Sequence, residues 1–253
     1  MRAGILGDAP CGTLAGMTHV LARLPEQGEP DLLFLLFHGV GGRAEDMAVL
    51  ARRLAQEYPQ AAVLCVDAPD EFDAAPGGGG RQWFSIQGID DDNRAARVAA
   101  TLPRFVATVR ALQLRFAMEW PRTALFGFSQ GAIMTLEAAR AEPELAGRVI
   151  AFSGRYATLP DHAPRDTCVH LLHGLDDTVV PHAPAVAAAR QLVALGADVT
   201  ADVLPQVGHE LDPRLIERAI DQLRTFLPQR TWRAAFEAAP VQATAASSKD
   251  LDG

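Results

Sequence analysis

Apolar residues fall along this chain in two alternating kinds of block. Short, largely apolar runs occur at Leu32–Phe37, Ala62–Val66, Thr123–Phe126, Val149–Phe152, Val169–Leu172 and Val199–Leu204. Runs of that length fit strands buried on both faces of a sheet. The blocks between them show helical spacing. In Ala44–Glu57 the residues Met47, Leu50, Ala51 and Leu54 share one face, and similar patterns cover 132–141, 183–195 and 212–227. Asp91-Asp92-Asn93 opens a longer helical pattern that runs to about Met118, its acids suited to the positive end of a helix. Pro103 lies inside it and predicts a kink or a break. Thr18–Leu24 alternates as an edge strand does. Repeated strand–helix alternation predicts an α/β fold, a mostly parallel sheet with helices on both faces.

The ends and one long connection break the pattern. Residues 1–16 are rich in Gly and Ala and read as poorly ordered, and residues 240–253 read as a disordered tail. Residues 17–239 then form one domain, closed by a short helix over Thr231–Ala239 with Trp232 and Phe236 four apart. Asp67–Asp90 has neither period. It holds Pro69, Pro76 and Gly77–Gly80, followed by Arg81-Gln82-Trp83-Phe84. A connection this long is usually functional or disordered. The aromatic pair argues for order, and places Trp83 and Phe84 as buttress or wall of a pocket.

Composition narrows the partners. The chain has 253 residues and a net charge of −8, with no basic cluster. That argues against nucleic acid and anionic membrane surfaces, both of which need Lys and Arg. The cysteines are Cys11, Cys65 and Cys168, without paired spacing, which predicts reduced thiols and a cytoplasmic protein. No signal-peptide core precedes Asp8, and no apolar run approaches a membrane span, so stable membrane insertion is not expected. A monomer or a homodimer fits these features equally.

The chemistry gathers around Gly127-Phe128-Ser129-Gln130-Gly131. A strand, this Gly-x-Ser-x-Gly turn and a helix make a nucleophile elbow, where small residues on either side of the serine let strand and helix approach. A serine hydroxyl needs a neighbouring imidazole as base, and the imidazole needs an acid to fix its tautomer. In a doubly wound sheet such groups meet beyond the C-terminal strand ends. His38-Gly39-Val40-Gly41-Gly42, His173-Gly174-Leu175-Asp176-Asp177 and Val207-Gly208-His209-Glu210 are predicted to lie there with Ser129. His209, after the last strand, completes the order serine, acid, base. His173 precedes both acids, and His182 follows Asp177 too closely to oppose it. The residues alone leave the choice between Asp176 and Asp177 open. The backbone N–H groups of Val40 and Gln130 are the expected oxyanion donors, and the Gln130 side chain has no evident part. No cofactor is required.

Rival patterns are weaker. Gly39-x-Gly41-x-x-Ala44, with Asp67 ending the next strand, matches a dinucleotide-binding fingerprint but leaves the serine and histidine loops unused. Gly77–Gly80 lacks the Gly-Lys-Ser/Thr ending of a phosphate loop. Asp90-Asp91-Asp92 reads as a helix start, and zinc ligand spacing is missing, so no metal site is predicted.

Taken together, Phe37-His38-Gly39-Val40-Gly41, Gly80-Arg81-Gln82-Trp83-Phe84, Asp92-Asn93-Arg94, Gly127–Ala132, Ile150–Gly154, His173-Gly174-x-x-Asp177-x-Val179-Val180-Pro181 and Gly208-His209 resemble the phospholipase/carboxylesterase family. The resemblance runs from about residue 19 to about residue 237 and implies an α/β-hydrolase fold. It implies a serine carboxylesterase acting on small ester or acyl substrates, with acyl-protein thioesterase or lysophospholipase activity as alternatives. It selects Asp177 over Asp176 as the acid, beside Ser129 and His209. Gly42, where many relatives have Asp, and Thr178, where many have Pro, depart from the pattern close to the site. The little chain between Phe152 and Val169 predicts no large cap, and a site shaped by residues 68–90. A hydrolase scaffold that binds without turnover is the remaining alternative.

Overall fold

The structure, a computed structural model, describes residues 19–238, with side chains given up to Arg233. The expectations for residues 1–16 and 240–253 lie outside the described residues. The strands are β1 (Val20–Arg23), β2 (Leu32–Phe37), β3 (Ala61–Val66), β4 (Asp70–Glu71), β5 (Arg81–Gln82), β6 (Thr123–Phe128), β7 (Arg148–Phe152), β8 (Cys168–Gly174) and β9 (Val199–Leu204). The helices are α1 (Ala48–Glu57), α2 (Asp91–Arg115), α3 (Gln130–Ala141), α4 (Ala183–Ala194), α5 (Pro213–Thr225) and α6 (Gln229–Ala238). A 3-10 turn at Ala44–Met47 leads into α1, where an α-helix was expected throughout.

Seven strands form one sheet in the order β1-β3-β2-β6-β7-β8-β9. β1 runs antiparallel to β3, and every other pairing is parallel. The unbroken apolar runs are explained by two cores. Leu33, Leu35 and Phe37 of β2 point into one, with α2, α3 and α4, while Phe34 and Leu36 point into the other, with α1 and α5. A strand that feeds both layers has no solvent face on which a polar residue would be favoured.

Of the kink or break expected at Pro103, the break does not occur: α2 continues from Asp91 to Arg115. A proline at that position removes the hydrogen bond to the carbonyl of Ala99. Pro103 and Ala99 both lie on the exposed face of α2, so water can take that carbonyl. The start of α2 is held by a reciprocal cap between Asp90 and Asn93, which is the role expected of that acidic run.

Register brings the strand ends level. Phe37 of β2 lies beside Gly127 of β6, Phe128 beside Phe152, and Gly174 of β8 beside Leu204 of β9. The loops after β2, β6, β8 and β9 therefore leave one edge of the sheet side by side. Residues 153–167, between β7 and β8, hold neither helix nor strand, so no folded cap is inserted there. Inside the long aperiodic connection, β4 and β5 form a two-stranded hairpin that the sequence pattern did not reveal.

Candidate active site

Ser129 sits between β6 and α3 with φ +53° and ψ −113°. A non-glycine residue at positive φ costs roughly 1–2 kcal/mol and persists only where its surroundings fix it. Here they do. The Ser129 N–H donates to the Phe152 carbonyl at 2.9 Å, and its own carbonyl accepts from Ile133 N–H at 3.1 Å. The flanking glycines are obligatory for contact reasons. A Cβ on Gly127 would lie 2.5 Å from the backbone of Ala132, and one on Gly131 would lie 2.2 Å from the Phe37 carbonyl oxygen.

His209 reaches Ser129 across the sheet edge. Its Nε2 lies 2.9 Å from Ser129 Oγ, and its Nδ1 lies 2.7 Å from Asp177 Oδ2. A carboxylate can only accept, so Nδ1 carries the proton and Nε2 is left to accept from the serine. The imidazole packs tilted on the Phe128 ring, centroids 5.0 Å apart. Asp177 Oδ1 accepts from the N–H groups of Val179 and Val180 at 2.9 and 2.8 Å. Burial pushes the Asp177 carboxyl up, but the His209 hydrogen bond and these two backbone donors outweigh it and hold it below the usual carboxylate range.

Asp176 faces elsewhere. Its Oδ2 accepts from Gln206 N–H at 3.0 Å and its N–H donates to the Val207 carbonyl, also at 3.0 Å, which ties the loop after β8 to the loop after β9. Gly174 makes that approach possible, since a Cβ there would lie 2.2 Å from the Val207 carbonyl oxygen. His173 is buried and donates through Nε2 to the Val180 carbonyl at 2.7 Å, behind the acid. His182 stands at the start of α4, as its N-cap.

The loop after β2 meets the elbow face to face. A Cβ on Gly39 would lie 3.2 Å from Ser129 Cβ. Gly41 N–H donates to the Arg81 carbonyl and Gly42 N–H to the Gly39 carbonyl, at 2.8 and 3.1 Å. Val40 N–H makes no hydrogen bond within the described chain. Gln130 is the first residue of α3, so its N–H has no intrahelical acceptor. The N–H groups of Val40 and Gln130 are thus both left without an acceptor in the described chain, and the positive end of α3 lies at Ser129. A Cβ on Gly42 would lie 2.7 Å from Asp46 Oδ2, so Asp46 occupies that space.

Burial bears on two expectations about the support. Trp83 and Phe84 are 2% and 5% exposed and belong to the core under the loops, so they buttress the site and offer little surface as a wall. The Gln130 side chain, which had no evident part, is buried and bonded at both ends, to Trp83 N–H and to the Phe84 carbonyl. The dinucleotide reading also loses its acid: Asp67 is buried and accepts from Ala44 N–H at 2.6 Å.

A doubly wound sheet with a strained serine elbow and an imidazole–carboxylate pair on neighbouring loops defines an α/β-hydrolase. The phospholipase/carboxylesterase pattern matches residues 24–227, and the chain belongs to that family. It is 46% identical over 220 residues to esterase YpfH of Escherichia coli (strain K12), covering 86% of this chain and 92% of that one. Acyl-protein thioesterase 1 of Eremothecium gossypii is 25% identical over 206 residues, 74% of this chain and 84% of its own. Among solved structures, esterase PE8 superposes with a TM-score of 0.74 at 27% identity, covering 81% of this chain and 97% of that one. Among the described residues no helix is long and apolar enough to cross a membrane.

Proposed function

We propose that this carboxylic ester hydrolase works through an acyl-enzyme on Ser129. Ser129 Oγ attacks the ester carbonyl carbon and its proton passes to His209 Nε2. The carbonyl oxygen becomes an oxyanion held by the N–H groups of Val40 and Gln130. Collapse breaks the bond to the alcohol, which takes the proton from His209. Water then repeats the sequence, with His209 as base, and releases the carboxylic acid and free Ser129. Asp177 stays ionised, fixes the His209 tautomer and stabilises its cation.

The observation that carries this reading is the unbroken relay from Ser129 Oγ to His209 to Asp177 at 2.9 and 2.7 Å. We place the enzyme in the cytoplasm, since Cys65 and Cys168 are buried as free thiols. Turnover of a short-chain aryl ester and labelling by a fluorophosphonate test the chemistry together. Ser129→Ala is expected to lose labelling and at least ~10⁴-fold in kcat/KM. A variant within tenfold of the parent enzyme, or one that still labels, would overturn the assignment. A matched panel of esters and thioesters tests the leaving group, for which the thioesterase relative supplies the comparison.

A further inference from the structure

The Gln130 side chain forms a bridge that ester hydrolysis as proposed above does not use. Its Oε1 accepts from Trp83 N–H at 2.8 Å and its Nε2 donates to the Phe84 carbonyl at 2.7 Å. The amide thus bridges the bend at residues 83–84, and Gln130 is 3% exposed. The same short segment holds the backbone on both sides of Val40. Trp83 Nε1 donates to the His38 carbonyl at 2.9 Å. Arg81 accepts from Gly41 N–H at 2.8 Å and donates to the Gly42 carbonyl at 2.9 Å. Gly80 lets the segment lie flush, since a Cβ there would lie 2.4 Å from the Gly41 carbonyl oxygen.

Val40 lies on the loop after β2 and Gln130 at the start of α3, and no direct hydrogen bond between them fixes their separation. Residues 81–84 bond to the Gln130 side chain and to the backbone of His38, Gly41 and Gly42 on either side of Val40. We propose that the Gln130 side chain is a positioning group that, through Trp83, sets the spacing of the two oxyanion donors. The inference rests on the acyl-enzyme reading above. An oxyanion donor acts only when aimed at the place where charge develops, and losing one costs ~10²–10³ in kcat. Without the Gln130 amide, a buried N–H and a buried carbonyl lose their partners. The segment must then shift to satisfy them, and it carries the His38–Gly42 backbone with it.

The test uses Gln130→Met, which keeps length and burial but neither hydrogen bond, and Trp83→Phe, which keeps an aromatic ring but loses the bond to His38. A trifluoromethyl ketone reports the oxyanion hole directly. Ser129 Oγ adds to its carbonyl carbon, the serine proton goes to His209, and the oxyanion must be held. Gln130→Met is expected to lower kcat ~10- to 100-fold with KM within twofold, and to weaken the ketone in parallel. Trp83→Phe shifts both quantities in the same direction, ~3- to 10-fold, and the double variant loses less than the product of the two. Ketone affinity and kcat within twofold of the parent in both variants overturns the proposal. So does a loss confined to KM, or a lowered Tm with parental kcat at 15 °C. If Gln130→Met does not fold, Trp83→Phe decides alone. An active Ser129→Ala would instead remove the acyl-enzyme reading, so the two failures are distinct.

Discussion

Replacing Asp177 by Asn separates the geometry of the acid from its charge. The loop decides which way the new amide faces. Asp177 Oδ1 accepts from two N–H groups at 2.9 and 2.8 Å, and an amide oxygen can do the same. The opposite rotamer would lose both bonds, worth about 1 kcal/mol each, and press an NH₂ group against two N–H donors. Against this stand the bond from His209 Nδ1–H, which an amide oxygen at the Oδ2 place would keep, and the buried His173 Nε2, 3.4 Å from Asp177 Oδ2 but already donating to the Val180 carbonyl at 2.7 Å. The amide NH₂ therefore takes the Oδ2 place and donates to His209 Nδ1. That forces the imidazole proton onto Nε2, which then faces Ser129 Oγ as a donor and cannot take its proton. The expected loss is ~10⁴-fold in kcat, about 5.5 kcal/mol of barrier, with KM little changed. Asp177→Ala leaves the imidazole free to choose its tautomer and should lose no more than Asn, despite removing more atoms. Steady-state turnover of a chromogenic ester measures both, and nitrogen-resolved NMR of the His209 ring reads the tautomer. An Asn variant within tenfold of the parent, or with the proton still on Nδ1, refutes the argument.

Two further outcomes follow from packing and burial. Gly131→Ala pushes a methyl to within 2.2 Å of the Phe37 carbonyl oxygen on a central strand that cannot yield, and should cost roughly 1–3 kcal/mol in urea unfolding, with a fall in kcat as α3 moves from the loop after β2; unchanged stability would contradict the close contact. His170 is fully buried in β8, its Nε2 accepting from Arg148 at 3.0 Å, and burial, then the Arg148 charge, pushes it down from 6.5 to about 3. Its folded value is depressed, so the stability it contributes is full above pH 6.5 and is lost as pH falls toward 3. From pH 7.5 to pH 5 that loss amounts to roughly 2 kcal/mol, which His170→Gln should not show; parallel pH–stability curves for the two proteins would refute it.

Much of this molecule could be read along the chain. The two-sided strands, the helices between them, Gly-x-Ser-x-Gly and the loops bearing His38, Asp177 and His209 are properties of local order and spacing. Strand and helix periods are set by backbone geometry, and the elbow by the space available between a strand and the helix that follows it. Folding brings Ser129, His209 and Asp177 within hydrogen-bond reach, as their order on successive loops suggested.

The sequence by itself therefore determined the fold class, the elbow and which residue types stand at the sheet edge. Spacing alone left the choice between two adjacent aspartates open; the family resemblance pointed to Asp177, and the tertiary structure supplies the physical reason. Asp176 turns to Gln206 and Asp177 to His209, a matter of loop direction that composition does not encode. The tertiary structure decided that α2 runs through Pro103, because the orphaned carbonyl faces water. It showed why Gly174 is a glycine, and it placed Trp83, Phe84 and the Gln130 amide under the loops as a brace. These features depend on partners tens of residues away in the chain. Local pattern fixes what a side chain is and roughly which layer it enters, while its hydrogen-bond partner is set only when distant segments are packed together.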